Sequence, residues 1–197
     1  MTETKTRTGG LRAVTRDIVR QQLSDVAIDL FAEHGFECVT VEQVAAAAGV
    51  STRSVHRYFP AKEDMVVGTL AANGELVRAA LEARPTDEPV MESLRAAYAA
   101  MLASRPQTER DKVAIRLLSS TPSLRARNVE KHLAWAELLT PIVTERLTGA
   151  DVPVRARVSV QISLSALNVA MTAWVEDHET RTLREMLDVA FHDLTPN

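Results

Sequence analysis

The segment from Ser51 to Tyr58 carries side chains suited to contact a nucleic acid. It contains two arginines and three small hydroxyl side chains, and it contains no acidic residue. Small hydroxyl groups let a helix approach a groove closely and donate hydrogen bonds to phosphate oxygens or base edges. Arg53 would lie in the first turn of such a helix, where a guanidinium can bind O6 and N7 of guanine together. The candidate DNA contacts in this segment are Ser51, Thr52, Arg53, Ser54, His56, Arg57 and Tyr58.

Two residues outside this segment are also suited to phosphate contacts. Lys62 follows it closely in the chain, and we expect Lys62 and Tyr58 to bind backbone phosphates. Thr40 begins a predicted helix, and the free amides of a helix N-terminus bind anions, so we expect another phosphate there. The apolar residues Val55 and Phe59 are expected to pack behind the polar face.

A longer helix is predicted to precede these residues and to support them. Between Thr15 and His34 the apolar residues recur at helical spacing, at Val19, Leu23, Val26, Ala27, Leu30 and Phe31. Thr15 is suited to cap this helix. Gly35 is suited to end it, because glycine adopts a left-handed backbone at little cost.

Two short helices follow. Thr40 and Gln43 are three residues apart and predict a capping box at the start of the first one. After a turn at Gly49, Ser51 caps the second, which ends at Phe59. Two short helices joined by a glycine-containing turn, after a longer helix, are typical of a helix-turn-helix. A helix about 10–12 Å across fits a major groove about 12 Å wide.

The rest of the chain predicts helices throughout. We expect breaks around residues 84–87, 105–106, 121–122, 147–153 and, more weakly, 178, and a kink at Pro141. No run alternates in the way of a β-strand, and no internal repeat is visible. The prediction is an all-α fold with a flexible N-terminal arm over 1–14, a three-helix unit over 15–61 and a helical bundle over 62–197. A long helix from Lys62 to about Ala83 would join the last two.

Residues 27–64 also contain a run of particular residues at set spacings. They are Leu30-Phe31-Ala32-Glu33-His34-Gly35-Phe36, Thr40-Val41, Val44-Ala45, Ala48-Gly49-Val50-Ser51, Tyr58-Phe59 and Lys62-Glu63-Asp64-Met65. This run resembles the DNA-binding domain of the TetR family of bacterial transcriptional regulators. Val44 stands in place of isoleucine, and His56 in place of a common aromatic residue, which bears on base preference or phosphate contacts. The resemblance implies a sequence-specific regulator, commonly a repressor, that binds a palindromic operator on double-stranded DNA as a homodimer.

Charge excludes a protein that binds DNA by bulk attraction alone. The formal net charge is −3, and residues 1–63 contain eight basic and eight acidic residues. The distribution is uneven, because the segment 51–59 has two arginines and no acid, and residues 1–20 have five basic residues against two acidic ones. The N-terminal arm would therefore either lie along a minor groove or make no contact.

The C-terminal part predicts a dimer contact. Residues 154–175 are apolar on more than one helical face, so their helix must be covered on several sides. The last predicted helix, near residues 182–194, also carries apolar residues at helical spacing. In the TetR family the last two helices pair with those of a partner, and the resemblance places the homodimer contact in these two segments.

The resemblance also implies a small-molecule effector in the C-terminal bundle, acting on the DNA-binding unit through the helix that begins at Lys62. Residues 160–194 resemble a subgroup that binds ligands similar to acyl-coenzyme A. A pocket needs apolar walls and a few polar groups. The expected walls are Tyr98, Met101, Leu102, Leu117, Trp135, Leu138, Leu139, Ile142 and Met171, and the expected polar residues are Arg116, His132 and Asn168.

Other classes of function have less support in the sequence. The histidines show no metal-ligand spacing, there is no glycine-rich phosphate loop, and residues 176–179 are typical of a solvated helix end, so we expect no enzyme activity and no cofactor. A single cysteine, Cys38, suits a reducing cytoplasm. We expect no secretory signal and no contact with a membrane, because the N-terminus is polar and no apolar run reaches about 18 residues. The alternative function is a helical protein-interaction module without DNA binding.

Overall fold

The computed structural model describes residues 7–71, 73–176 and 179–194, and these residues form ten helices and no strand. The all-α prediction is confirmed. The helices are α1 (Arg7–His34), α2 (Val41–Ala47), α3 (Thr52–Tyr58), α4 (Asp64–Ala71), α5 (Asn73–Glu82), α6 (Val90–Ala103), α7 (Glu109–Ser120), α8 (Pro122–Arg146), α9 (Val152–Trp174) and α10 (Leu183–Phe191). The chain divides into two compact units on either side of the Thr69–Leu70 bond.

The first unit has an apolar core to which α1 to α4 each contribute one face. Phe31 and Phe36 meet edge to face, with their ring centroids 4.9 Å apart. The hydroxyl of Ser24 is buried and donates to the backbone carbonyl of Met65, which ties α1 to α4. The core residues are Leu23, Ala27, Ile28, Phe31, Phe36, Val39, Val44, Ala45, Val55, Phe59, Met65, Val66 and Val67.

The start of α1 differs from the prediction. The helix begins at Arg7 and not near Thr15, so the expected arm over 1–14 overlaps its first turns, and residues 1–6 lie outside the described residues. Gly9 and Gly10 lie within these first turns. An existing helix extends more easily than it nucleates, which lets it continue through weak helix formers.

The boundary between the units also differs from the prediction. It falls at residues 69 and 70 and not at 61 and 62, because Met65, Val66 and Val67 of α4 are buried in the first core. Helix is described on both sides of residue 72, as α4 and α5, and residue 72 lies outside the described residues, so the single helix expected from Lys62 to about Ala83 stays a prediction.

The second unit contains α5 to α10 around one larger core. Its helices end near the breaks that the sequence predicts, and α8 continues through Pro141 as one helix. Tyr98 is fully buried, and its hydroxyl lies 2.9 Å from that of Ser163, which in turn donates to the carbonyl of Val160. Asp151 and Gly149 turn the chain between α8 and α9 with left-handed backbones, at φ of 55° and 93°.

A membrane-spanning helix is distinguished by its length and its apolar character. Among the described residues, none of the helices combines the length and the apolar character that a membrane crossing requires.

Candidate nucleic-acid interface and effector cavity

The α2–turn–α3 segment is held by local hydrogen bonds that the sequence predicts. Thr40 and Gln43 form the capping box, with the Thr40 amide donating to Gln43 Oε1 at 2.8 Å and the Gln43 amide to Thr40 Oγ1 at 3.3 Å. Gly49 turns the chain with a φ of 68°. The Ser54 amide donates to Ser51 Oγ at 3.2 Å and so caps α3. These bonds fix where α3 begins and therefore which residues face outward.

Helix α3 separates an apolar inner face from a polar outer face. Val55 and the following Phe59 are fully buried, whereas Arg53, His56 and Arg57 are exposed. Ser51 is exposed as well, and Thr52, Ser54 and Tyr58 are half-buried. The structure therefore brings the predicted residues of this segment to one surface. That surface carries two guanidinium groups and no carboxylate from α3 itself.

The start of α2 adds a place that favours negative charge. The backbone amide of Glu42 and the hydroxyl of Thr40 lower the pKa of the Glu42 carboxyl, and nearby His56 contributes less. The amides at this helix start thus stabilise an anion. The anion that these groups stabilise in the structure is the Glu42 carboxylate itself, so the phosphate contact expected at the exposed Thr40 stays a prediction.

Arg57 and Tyr58 lie against each other at the end of α3. The guanidinium carbon of Arg57 is 5.1 Å from the centroid of the Tyr58 ring, and Arg57 Nη2 lies 3.4 Å from the phenol oxygen. A cation over an aromatic face is attracted by the ring quadrupole. The pair therefore presents its charge and its hydroxyl together.

Lys62 packs its ammonium against two aromatic rings. It is half-buried, and its ammonium lies 4.3 Å from the centroid of the Phe36 ring and 5.6 Å from that of Phe31. The aromatic pair offers the ammonium a binding face within the protein. The sequence places Lys62 near a helix start, whereas the two rings belong to residues more distant in the chain.

Arg20 was not among the residues expected at this site. Its guanidinium lies 5.5 Å from the centroid of the Phe59 ring, directly after α3, and packs against Gly68 of α4. A β-carbon at position 68 would come within 2.5 Å of Arg20 Nη2. Arg20 therefore connects α1, the end of α3 and α4. The one signal in the sequence was a glycine inside an otherwise helical run.

In the second unit, α7, α8 and α9 line a partly open cavity of about 450 Å³, which we call the α7–α9 cavity. Three residues expected at the effector site line it, namely His132, Asn168 and Met171. The full lining is Ile115, Leu118, Ser119, Arg125, Asn128, Val129, His132, Ser165, Asn168, Val169, Met171 and Thr172.

The other expected effector residues lie away from this cavity. Arg116 is exposed and donates to the backbone carbonyl of Val175 at 3.2 Å. Helical spacing marks a buried face without showing whether a gap remains there. Tyr98, Met101, Trp135 and Leu139 belong to the packed core, and Leu102, Leu117, Leu138 and Ile142 are half-buried outside the lining.

Two neighbouring residues of α8 have unusual ionisation. Burial, with a smaller effect from the charge of Lys131, lowers the pKa of His132 to about 4, so the imidazole is neutral at pH 7. Burial also lowers the pKa of Lys131 to about 8, and its ammonium lies 5.0 Å from the Trp135 ring centroid. Nothing in the sequence marked Lys131, because a lysine on a long helix is usually solvated.

A groove of about 870 Å³ runs between α8 and α9 on the same unit. Its lining includes exposed apolar side chains: Val154 is 59% exposed, Val158 50%, Ile162 43% and Leu133 54%. Glu137 and Arg157 also line it. We call this surface the α8–α9 face. Among the described residues of α10, Val189 is the exposed large apolar side chain, at 55%.

Comparison with known proteins matches a family model to each of the two units. The family model described as "Bacterial regulatory proteins, tetR family" matches residues 23–68, and the model described as "MftR C-terminal domain" matches residues 88–197. The chain is 31% identical over 191 residues to the HTH-type transcriptional regulator TcmR of Streptomyces glaucescens, covering 92% of this chain and 83% of TcmR. It is 29% identical over 180 residues to the mycofactocin biosynthesis transcriptional regulator MftR of Mycobacterium tuberculosis, covering 89% of each.

A solved structure has the same fold. The transcriptional regulator FadR from Bacillus subtilis, determined in complex with stearoyl-CoA, superposes with a TM-score of 0.59 at 22% identity, covering 88% of this chain and 96% of FadR. The matched models, the full-length relatives and the helix-turn-helix geometry agree. The chain therefore belongs to the TetR family of bacterial transcriptional regulators.

Proposed function

We propose that this regulator is a repressor that binds a palindromic operator as a homodimer and is released from it by a small hydrophobic ligand in the second unit. The single observation that carries the proposal is the outer face of α3, where Arg53, His56 and Arg57 are exposed beside a buried Val55. A helix with this division of faces can enter a major groove and read base edges.

The residue roles follow from this face. Arg53, in the first turn of α3, is placed to bind guanine, and Ser51, Thr52, Ser54 and His56 surround it. Arg57, Tyr58 and Thr40 are assigned to phosphates. Lys62 is assigned to a phosphate as well, with its ammonium lying against the Phe31 and Phe36 rings.

A homodimer is proposed because one helix-turn-helix reads few base pairs, and two of them bind half-sites about 34–36 Å apart. The α8–α9 face is the surface that supports it. Its apolar stripe, Val154, Val158 and Ile162, would be buried by a second copy. Glu137 and Arg157 pair with no other described residue. In a twofold contact, Glu137 of one copy would meet Arg157 of the other, and the reverse pair would form as well.

The effector is proposed to act by binding better to the form with low DNA affinity. The chain passes from the first unit to the second within α4, which is the covalent route for such a change. The stearoyl-CoA complex of the Bacillus subtilis regulator makes an acyl-coenzyme A one candidate ligand for this chain.

The test is selection of binding sites from a random pool of duplex DNA with the purified protein. We expect enrichment of an inverted repeat. Arg53→Ala should weaken binding to that repeat about tenfold or more and relax the preference at one base pair of each half-site. Arg127→Ala is the matched control, because Arg127 pairs with Glu130 on the surface of the second unit.

The opposite result would favour the alternative function. If a folded protein enriches no sequence at moderate salt, and Arg53→Ala changes nothing, sequence-specific DNA binding is excluded under those conditions. A helical protein-interaction module would then account better for the chain.

A further inference from the structure

The lining of the α7–α9 cavity carries a positive charge and no negative one. Of its twelve lining residues, Arg125 is the one that carries a charge at pH 7, because no carboxylate lines the cavity and His132 is neutral there. Arg125 is exposed and pairs with no other described residue. A guanidinium without a partner at the edge of a cavity is suited to bind an anionic group.

The same wall holds two polar atoms that lack partners. Asn128 Oδ1 and His132 Nε2 are closed to solvent and make no hydrogen bond, and they are two of the four such atoms in the described part of the chain. An unsatisfied buried polar atom carries a substantial desolvation penalty. The amide nitrogen of Asn128 makes a long contact, 3.4 Å, to Asn168 Oδ1. Both atoms are closed to a water-sized probe, so a guest in the cavity reaches them only after the Asn128 or His132 side chain rotates. A guest hydroxyl would then donate to Asn128 Oδ1 and pair with His132 Nε2 in either tautomer of the neutral ring, directly or through a water molecule.

These three residues form a line along the cavity. Positions 125, 128 and 132 lie on one face of α8, and the first and last are about 10 Å apart along the helix axis at about 1.5 Å per residue. Arg125 and His132 are thus at separate ends, and Asn128 lies between them, about 4.5 Å from position 125 along the axis. A ligand that uses both must carry its acid group and its donor group well apart.

Apart from the exposed Ser165 and from Asn168, the remaining lining is apolar or already internally bonded. The hydroxyl of Ser119 donates to the carbonyl of Ile115, and that of Thr172 donates to the carbonyls of Asn168 and Val169. Ile115, Leu118, Val129, Val169 and Met171 give the body of the cavity an aliphatic surface. A flat or chain-like apolar body would fill it.

We propose that the α7–α9 cavity is the effector site and that it takes an amphipathic organic acid, with its carboxylate on Arg125 and a hydroxyl or N–H donor toward Asn128 and His132. This inference rests on the proposed function, in which a small molecule in the second unit controls DNA binding. A cavity of about 450 Å³ is within the range of small-molecule sites. A free acid matches the single cation, whereas the several phosphate charges of an acyl-coenzyme A would not be balanced there.

The test is calorimetric titration of the full chain with four named probes. They are 4-hydroxycinnamate, cinnamate, which lacks the donor, methyl 4-hydroxycinnamate, which lacks the charge, and lauroyl-coenzyme A. We expect 4-hydroxycinnamate to bind at least tenfold more tightly than each of the other two cinnamates. Arg125→Gln should weaken its binding about ten- to a hundredfold, as expected for a lost charged hydrogen bond, and leave methyl 4-hydroxycinnamate unaffected. Arg127→Gln is the matched control two residues along α8.

A second variant separates a binding role from a structural one. Asn128→Leu removes the unsatisfied acceptor and has a similar volume, so it should raise the melting temperature while weakening 4-hydroxycinnamate binding about tenfold or more. A residue with a structural role alone would change stability and leave binding unaltered. Equal affinity for the three cinnamates, no binding of any of them, or no effect of Arg125→Gln would overturn the proposal.

The DNA readout distinguishes this inference from the proposed function. If lauroyl-coenzyme A releases the protein from its selected operator and the cinnamates do not, the effector class is wrong and the repressor function stands. If no operator is found, the repressor function fails. The cinnamate affinities of the unaltered chain, Arg125→Gln and Asn128→Leu then still decide whether the cavity binds an organic acid.

Discussion

At the residue scale, Gly74 shows a close approach that helical propensity does not reveal. A β-carbon at this position would lie 2.7 Å from Nε1 and 2.8 Å from Cδ1 of Trp135. The indole is part of the packed core and is 3% exposed, so it has little room to move. Glycine is therefore required here by the distance between α5 and α8, although it is a weak helix former.

We predict that Gly74→Ala destabilises the second unit by about 1–3 kcal/mol, because overpacking against a rigid ring exceeds the gain in helix propensity. Both tryptophans, Trp135 and Trp174, lie in this unit, so urea unfolding followed by their fluorescence measures the change.

Gly68→Ala is the matched control for that variant. Its β-carbon would meet the end of the flexible Arg20 side chain and not a ring, so the expected change in stability is within about 1 kcal/mol. Circular dichroism is the suitable probe, since position 68 is in the first unit. Equal destabilisation by the two variants would show that the loss at Gly74 does not come from the indole.

At the element scale, capping explains why several helices begin where they do. The boxes at Thr40–Gln43, Thr108–Asp111 and Thr182–Glu185 each satisfy two amides at a helix start. The first of these was evident from the sequence because a helix-turn-helix pattern surrounds it. Such local signals fix helix starts but leave open which helices meet.

The α8–α9 face is the element-scale feature that supports a dimer. We predict that Val158→Asp weakens dimerisation about a hundredfold, because it places an unpaired charge within an apolar interface, equivalent to about 3 kcal/mol. Sedimentation velocity over a range of protein concentrations measures this change.

Val189→Asp on α10 is the control for that variant. It is a similar change at a similarly exposed valine, 55% against 50%. If the dimer uses the α8–α9 face, the Val189→Asp variant still sediments as a dimer. A monomer from Val189→Asp and a dimer from Val158→Asp would instead place the contact at α10, as the family pattern of two last helices suggests.

At the scale of the whole molecule, DNA binding must arise from an uneven charge distribution, because the formal net charge is −3. The outer face of α3 concentrates Arg53 and Arg57 without an acid on the same helix. We predict that the logarithm of the operator association constant falls with the logarithm of the KCl concentration with a slope of about −4 to −5, as for a dimer that neutralises about five phosphates.

Fluorescence anisotropy with a labelled operator measures this slope. Arg57→Gln should reduce it by about 2, because each dimer loses two phosphate contacts. A slope near zero would mean that phosphate contacts contribute little to binding. An unchanged slope in the variant would remove Arg57 from the phosphate contacts.

The sequence by itself determined the helical class, the helix-turn-helix and most of the polar residues on α3. These features depend on short-range physics, namely apolar spacing, caps within three residues and turns that need glycine. The breaks between the later helices follow from the same local rules. For that reason Thr40, Gly49 and Ser51 have the roles that their spacing indicates.

Only the tertiary structure decided how side chains distant in the chain meet. It placed Lys62 over Phe31 and Phe36, Arg20 over Phe59, and the polar residues of α8 around a cavity away from Tyr98. A helical pattern shows which face is buried, but not whether the neighbouring helix fills that space or leaves a gap. The candidate effector site therefore had to come from packing, whereas the candidate DNA-binding face was visible in eight consecutive residues.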